Sequence, residues 1–205
     1  MCAARYGQLL NMTSLVNDCG VTHKTIGAWL SVLEAGCVIF LLQPHHRNFG
    51  KRLVKTPKLY FHDTGLAAYL MGIQDAAHLS IHSVRGALFE NLVISEFLKQ
   101  RLNQGLPSNL YFWRNNTGDE VDLLIEQGDF LTPVEIKSGQ TFNADFVTGL
   151  TKWMCYAGPT ALPAQLVYGG DNTMARQGVQ VRSWRNLQAL HGTVTIANPP
   201  QVPPT

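Results

Sequence analysis

The sequence predicts a mixed α/β (α+β) chain. A small, winged-helix-like unit of helices and a strand pair covers residues 1–80, and a larger mixed sheet flanked by helices covers 81–192. Three observations predict it. Two runs before residue 36 carry apolar residues at helical spacing, and a strand pair with a basic connection follows. Beyond residue 85 the pattern runs helix, three strands, helix, strand. At 205 residues and 45% apolar content, the chain can bury two small cores.

Leu9, Leu10, Leu15 and Val16 give the first helical pattern, which Gly20 ends as a left-handed cap. Thr22 caps a second helix reaching Ala35, with Ile26, Trp29, Leu30 and Leu33 on its apolar face. Strands are expected at Val38–Leu42 and Lys58–Phe61, joined by a Pro- and Gly-punctuated basic stretch. Asp63–Met71 reads as a short helix, and 72–83 as a turn region. A helix over Gly86–Leu102 opens the second unit, with Asn91, Ser95 and Lys99 marking its wet face. Strands follow at 110–114, 121–126 and 133–137, then a helix over 144–156, a strand at 164–168 and an edge strand at 179–184. The Pro-rich tail, 193–205, is expected to be disordered.

Charge is unevenly spread. Residues 1–80 hold seven Lys/Arg against four Asp/Glu, whereas six of the fourteen carboxylates fall between Asp119 and Glu135. A basic surface for a polyanion beside an acidic cation site suits that distribution. The second helix with Lys24, and the connection with Arg47, Lys51, Arg52 and Lys55, are the candidate nucleic-acid contacts. The helix offers no arginine to read guanine, so the expected binding follows the phosphate backbone. His45 and His46 in the same connection read as exposed or phosphate-facing. Cys2, Cys19, Cys37 and Cys155 are scattered, form no Cys-x-x-Cys pair, and read as reduced core residues. No apolar run is long enough for a membrane helix, and the start lacks a signal-peptide pattern, so a cytoplasmic protein is expected.

The chemistry concentrates in the second unit. With Gly128 and Asp129 as hairpin turn residues, facing positions sum to 257, which sets Asp122 opposite Glu135. Two carboxylates about 4.5–5.5 Å apart at Cβ repel unless one is protonated or a cation lies between them. Lys137 shares the strand face of Glu135. Glu90 aligns with Ile94 and Phe97 beside an apolar stripe, so it points inward as a third carboxylate or pairs with Lys137 or Arg114. Such oxygens, with retained waters, suit Mg²⁺ or Mn²⁺.

Asp122 followed by Glu135-Ile-Lys137 resembles the PD-(D/E)XK signature, and Arg85-Gly-Ala-Leu-Phe-Glu90 resembles the helix that brings its extra acid. Lys51-Arg-Leu-Val-Lys-Thr-Pro-Lys-Leu-Tyr-Phe61, Asp63-Thr-Gly-Leu66 and Tyr111-Phe-Trp-Arg114 extend the likeness. Together they resemble the C-terminal, largely uncharacterised part of a prokaryotic family of AAA-type ATPases. The resemblance implies a winged helix followed by a restriction-endonuclease-like core. It implies Glu90, Asp122 and Glu135 as metal ligands and, with Lys137, as catalytic groups. It also implies an ATPase module as partner and as the segment preceding these residues, so the chain reads as a fragment. The chain has no Gly-x-x-x-x-Gly-Lys-[Ser/Thr], so it is not expected to hydrolyse ATP alone. A metal-dependent nuclease-like domain is the first reading. A non-catalytic DNA- or protein-binding module regulating the ATPase is the second, and self-association through the winged helix the third.

Overall fold

The structure, a computed structural model, describes residues 2–47, 49–50 and 52–190. Lys51 and the 193–205 tail lie outside the described residues. The first unit holds α1 (Met12–Cys19), α2 (His23–Ala35), β1 (Ile39–Leu42), β2 (Lys58–Phe61), α3 (Thr64–Leu70) and α4 (Ala76–Ile81). The second holds α5 (Arg85–Asn103), β3 (Leu110–Arg114), β4 (Glu120–Gln127), β5 (Phe130–Lys137), α6 (Thr148–Ala157), β6 (Gln165–Tyr168), β7 (Met174–Arg176) and β8 (Val179–Ser183). Helices and a mixed sheet make this an α/β (α+β) fold, as expected.

The local signals near the start act as read, with one exception. Gly20 takes the left-handed conformation, φ 66°, and its N–H closes α1 onto the Val16 carbonyl. Thr22 accepts from the Thr25 N–H and caps α2. Leu9 and Leu10, however, precede α1, because Asn11 caps it. Leu9 bridges Lys58, and the Leu10 N–H donates to the Pro57 carbonyl, so residues 7–10 lie along β2 as an extra edge. β2 is therefore covered on both sides.

The large sheet has the order β3-β4-β5-β6-β8-β7. Strands β3, β4 and β5 are antiparallel; β5, β6 and β8 run parallel, and β7 returns antiparallel to β8. The 179–184 segment, expected at the edge, is interior, because β7 covers it. On one face Val93, Ile94, Phe97 and Leu98 of α5 pack with Phe112, Leu123, Ile125, Val134 and Ile136. On the other, Leu150 and Trp153 of α6 pack with Val121, Leu124, Leu131 and Leu166. Leu42 and Tyr60, from the strands of the first unit, belong to the α5-side core. The two units thus share apolar burial.

Asn91 and Ser95 do not face water. Both are fully buried, since α5 is enclosed on nearly every side. The Asn91 amide accepts from the Phe61 N–H at 2.8 Å and donates to the Phe61 carbonyl at 2.7 Å, acting as a one-residue strand beside β2. A polar residue on that face is tolerated because the backbone it meets would otherwise be unpaired.

The basic connection between β1 and β2 does not project as a wing. The Phe112 N–H donates to Gln43, the His45 N–H to Phe112, and the Val54 N–H to Arg114, so both limbs of the loop lie along edge strand β3. The Arg47 guanidinium donates to the Asp129 carbonyl at 2.9 Å. His45 is buried rather than exposed, with Nε2 3.1 Å from Glu126, and burial holds its pKa below the usual histidine value. The cysteines are free, and none is fully buried; Cys37 and Cys155 are exposed. Cys37 and Cys155 are therefore not core residues, whereas Cys2 and Cys19 are half-buried against the core of the first unit. Among the described residues no helix is long and apolar enough to cross a membrane.

Candidate functional site

Asp122 owes its position to an irregularity in β4. Tyr111 pairs with Leu124 and Trp113 with Val121, so β4 has one residue more than β3 between these pairs. Val121 and Leu124 pack on the α6 side while Leu123 and Ile125 pack on the α5 side, so the alternation slips at Asp122. The expected register, with positions summing to 257, holds from Gln127↔Phe130 to Leu123↔Val134. Beyond that pair β4 no longer follows the ladder. Asp122 is not a simple cross-strand neighbour of Glu135; its Oδ2 accepts from the Ile136 N–H at 2.9 Å. The carboxylate has taken the place of a ladder carbonyl between diverging strands.

Glu135 and Lys137 alternate with Val134 and Ile136, which pack toward α5. The Lys137 Nζ lies 2.5 Å from Glu135 Oε1. Glu135 Oε2 is buried and has no hydrogen-bond partner among the described residues. A contact to an ammonium favours the charged carboxylate, but burial and the Asp122 charge outweigh it and push the Glu135 pKa up to about 8. Burial would lower the Lys137 pKa, yet Asp122 and Glu135 raise it.

Glu90 points inward from α5, as its alignment with Ile94 and Phe97 suggests. Its partners are neither Lys137 nor Arg114. Tyr60 OH donates to Oε1 at 2.5 Å, and Lys58 Nζ lies 3.2 Å from the same oxygen. Burial and the Asp122 charge push Glu90 up to about 7. Gly7 stands above this carboxylate: a Cβ there would come within 3.9 Å of both Glu90 oxygens, and its φ of +70° favours glycine. Arg114 instead reaches Glu120 at 3.2 Å, and Lys58 reaches Glu120 at 2.5 Å.

Asp122 is the electrostatic centre of the group, since its charge raises both Glu90 and Glu135. Its own pKa is raised by burial, against the pull of Lys137 and Lys58. All four expected site residues therefore feel one another. They do not form a ready-made ligand cage: among the described residues no group of three His, Cys, Asp or Glu side chains is arranged to hold a metal. Glu90 is turned to Lys58 and Tyr60, which leaves Asp122 and Glu135 as the carboxylates nearest to sharing an ion. The unpartnered Glu135 oxygen and the mutual repulsion fit a divalent cation with oxygen ligands. Mg²⁺ commonly takes only one or two protein carboxylates and keeps several waters.

A family model described as a domain of unknown function (DUF4143) matches residues 85–187, half of the chain. The chain belongs to that family. A second model, also a domain of unknown function (DUF8612), matches residues 1–77. Two curated relatives of the DUF4143 chain are Uncharacterized protein Mb2031c of Mycobacterium bovis and Uncharacterized protein Rv2008c of Mycobacterium tuberculosis. Each is 34% identical over 141 residues, 69% of this chain and 31% of the relative. The chain thus spans about a third of these relatives' length. No solved structure matches it.

Sequence reading missed Lys58, Tyr60 and Glu120 in the DUF4143 chain's site. Lys58 sits in a basic run and read as a strand end, but it is 3% exposed. Glu120, two residues before Asp122, entered the sequence reading only as one of the clustered carboxylates. The available signal was the pairing of Lys58 and Tyr60 two residues apart on one strand face. Of the candidate nucleic-acid contacts, Lys24, Arg52 and Lys55 are exposed, and Arg47 is half-buried against Asp129.

Proposed function

We propose that the chain is the divalent-metal-dependent, nuclease-like module of an AAA-type ATPase, acting on nucleic-acid phosphodiesters in the cytoplasm. The observation that carries the reading is the convergence of Asp122, Glu135, Lys137 and Glu90, with a buried Glu135 oxygen left without a partner among the described residues. Asp122 and Glu135 would hold Mg²⁺ or Mn²⁺, with Glu90 as auxiliary ligand. The ion supplies Lewis acidity and a bound water of lowered pKa. The Lys137 ammonium, already in place beside Glu135, orients the attacking water or offsets charge developing on the phosphate. Lys24, Arg47, Lys51, Arg52 and Lys55 offer sequence-independent contacts to the phosphate backbone.

The test is cleavage of single- and double-stranded DNA and RNA with Mg²⁺ or Mn²⁺. Asp122→Ala and Lys137→Ala should each lower the rate by about 100-fold or more, the usual cost of removing a group that stabilises developing charge. Cleavage by both variants at the wild-type rate would end the nuclease reading.

A second reading, a non-catalytic module that binds DNA or a protein and regulates the ATPase, has its own support. Lys58 already pairs with Glu90 and Lys137 with Glu135, and Trp29, Val32, Tyr69, Leu70 and Ile81 are exposed apolar side chains of the first unit. It is favoured if no cleavage is found while DNA binding falls steeply with salt, or while the chain self-associates in sedimentation.

A further inference from the structure

Lys58 is the one lysine among the described residues that is buried on the residue scale, and it reaches the site from β2, outside the 85–187 match. A buried ammonium is costly unless it is paired and hydrogen-bonded. Lys58 meets both conditions, with Glu90 at 3.2 Å and Glu120 at 2.5 Å. Two carboxylates on one ammonium hold it as a cation. Its ammonium therefore lies between two carboxylates, one from α5 and one from β4. Two-metal phosphodiester sites hold their ions about 3.5–4 Å apart, and a fixed ammonium on Glu90 and Glu120 takes the donors that a second ion would need.

We propose that Lys58, delivered by the N-terminal unit, is a built-in cation of the carboxylate site that stands in for a second divalent ion and limits the site to one. The inference rests on the metal-dependent reading above. It makes Lys58 a positioning residue: it holds Glu90 and Glu120 and touches no substrate. It also gives the N-terminal unit a part in the site, since without β2 the acids of α5 and β4 would be left without their shared counter-charge.

Calorimetric titration of Mn²⁺ into the full chain at pH 8 tests it, using wild type, Lys58→Met and Lys58→Arg. Wild type should take up one ion. Lys58→Met, which frees Glu90 and Glu120, should take up two, and Lys58→Arg, which keeps the charge, should return to one. A purely structural Lys58 would leave the stoichiometry at one in all three. Folded Lys58→Met binding a single ion with wild-type affinity overturns the proposal. So does wild type binding two ions, and that result decides even if Lys58→Met fails to fold. Wild type binding none sinks the metal reading itself, and this inference with it, which distinguishes the two failures.

Discussion

Glu135 holds two opposed demands in one side chain. Its Oε1 meets Lys137, and its Oε2 is buried without a donor. Because its folded pKa, about 8, exceeds the ordinary glutamate value of 4.5, the native state binds more protons than the unfolded chain between those limits. Stability without metal therefore falls as pH rises from about 4.5 to about 8, and Glu90, at about 7, adds to the same slope. Glu135→Gln mimics the protonated form. It should leave the melting temperature unchanged near pH 4.5 and raise it by roughly 2–4 °C at pH 8.5, the shift that about 1 kcal/mol gives a chain of this size. Mg²⁺ should stabilise wild type increasingly from pH 6 to pH 8.5 and stabilise the variant little. Circular dichroism melts check both, and a variant melting below wild type at pH 8.5 would show that the carboxylate is not strained. At this scale the sequence was legible where neighbours in the chain decide. Glu90 was placed inward by Ile94 and Phe97, but its partner Lys58 is 32 residues away, and in the basic run only the two-residue spacing from Tyr60 hints at burial.

The elements were legible because caps and turns act locally: Gly20, Thr22 and the Gly128 hairpin set boundaries and register by themselves. What escaped was decided by contacts between elements. Asn91 read as wet because polar residues at four-residue spacing usually face water, but its amide meets the buried, otherwise unpaired backbone of Phe61. Asn91→Ala should leave a buried N–H and a buried carbonyl unpaired. At about 1–3 kcal/mol for each group, urea unfolding should show a loss of about 2–6 kcal/mol, and a loss below about 1 would mean that water replaces the amide. The turns after β5 and β6 give a second case. The Gly169 N–H donates to the Lys137 and Gly139 carbonyls, and a Cβ at Gly169 would fall 2.5 Å from the Ser138 oxygen. That obstacle is backbone, so Gly169→Ala must push apart the loop that follows Lys137. It should lower stability by about 1–3 kcal/mol, as overpacking does, and depress any Lys137-dependent activity. Wild-type unfolding midpoints would show that the loop yields freely. Tyr168-Gly169-Gly170 thus serves close packing of two turns.

Across the whole molecule, the segment read as a free wing closes one edge of the large sheet. Its two limbs bond to β3, and Trp113 donates from Nε1 to the Arg47 carbonyl. The composition of the loop is that of a phosphate-binding wing, so charge alone could not reveal that its backbone was engaged; edge strand β3, with unpaired groups, is what claims it. The two sequence matches, 1–77 and 85–187, therefore meet in a structure whose parts are not independent. Leu42 and Tyr60 lie in the α5-side core, Lys58 in the carboxylate group, and Phe61 on Asn91. If these contacts couple the units, both should unfold together. Trp29 is exposed in the first unit, while Trp113 and Trp153 are buried in the second, so tryptophan fluorescence reports chiefly on the second unit. Far-ultraviolet dichroism reports on helices of both. The two probes should give one coincident urea transition, and residues 85–190 made alone should show no cooperative transition, because they expose the surface that Leu42 and Tyr60 cover. Separate midpoints for the two probes, or a cooperative isolated fragment, would show that the shared core is an assembly of two units each stable by itself.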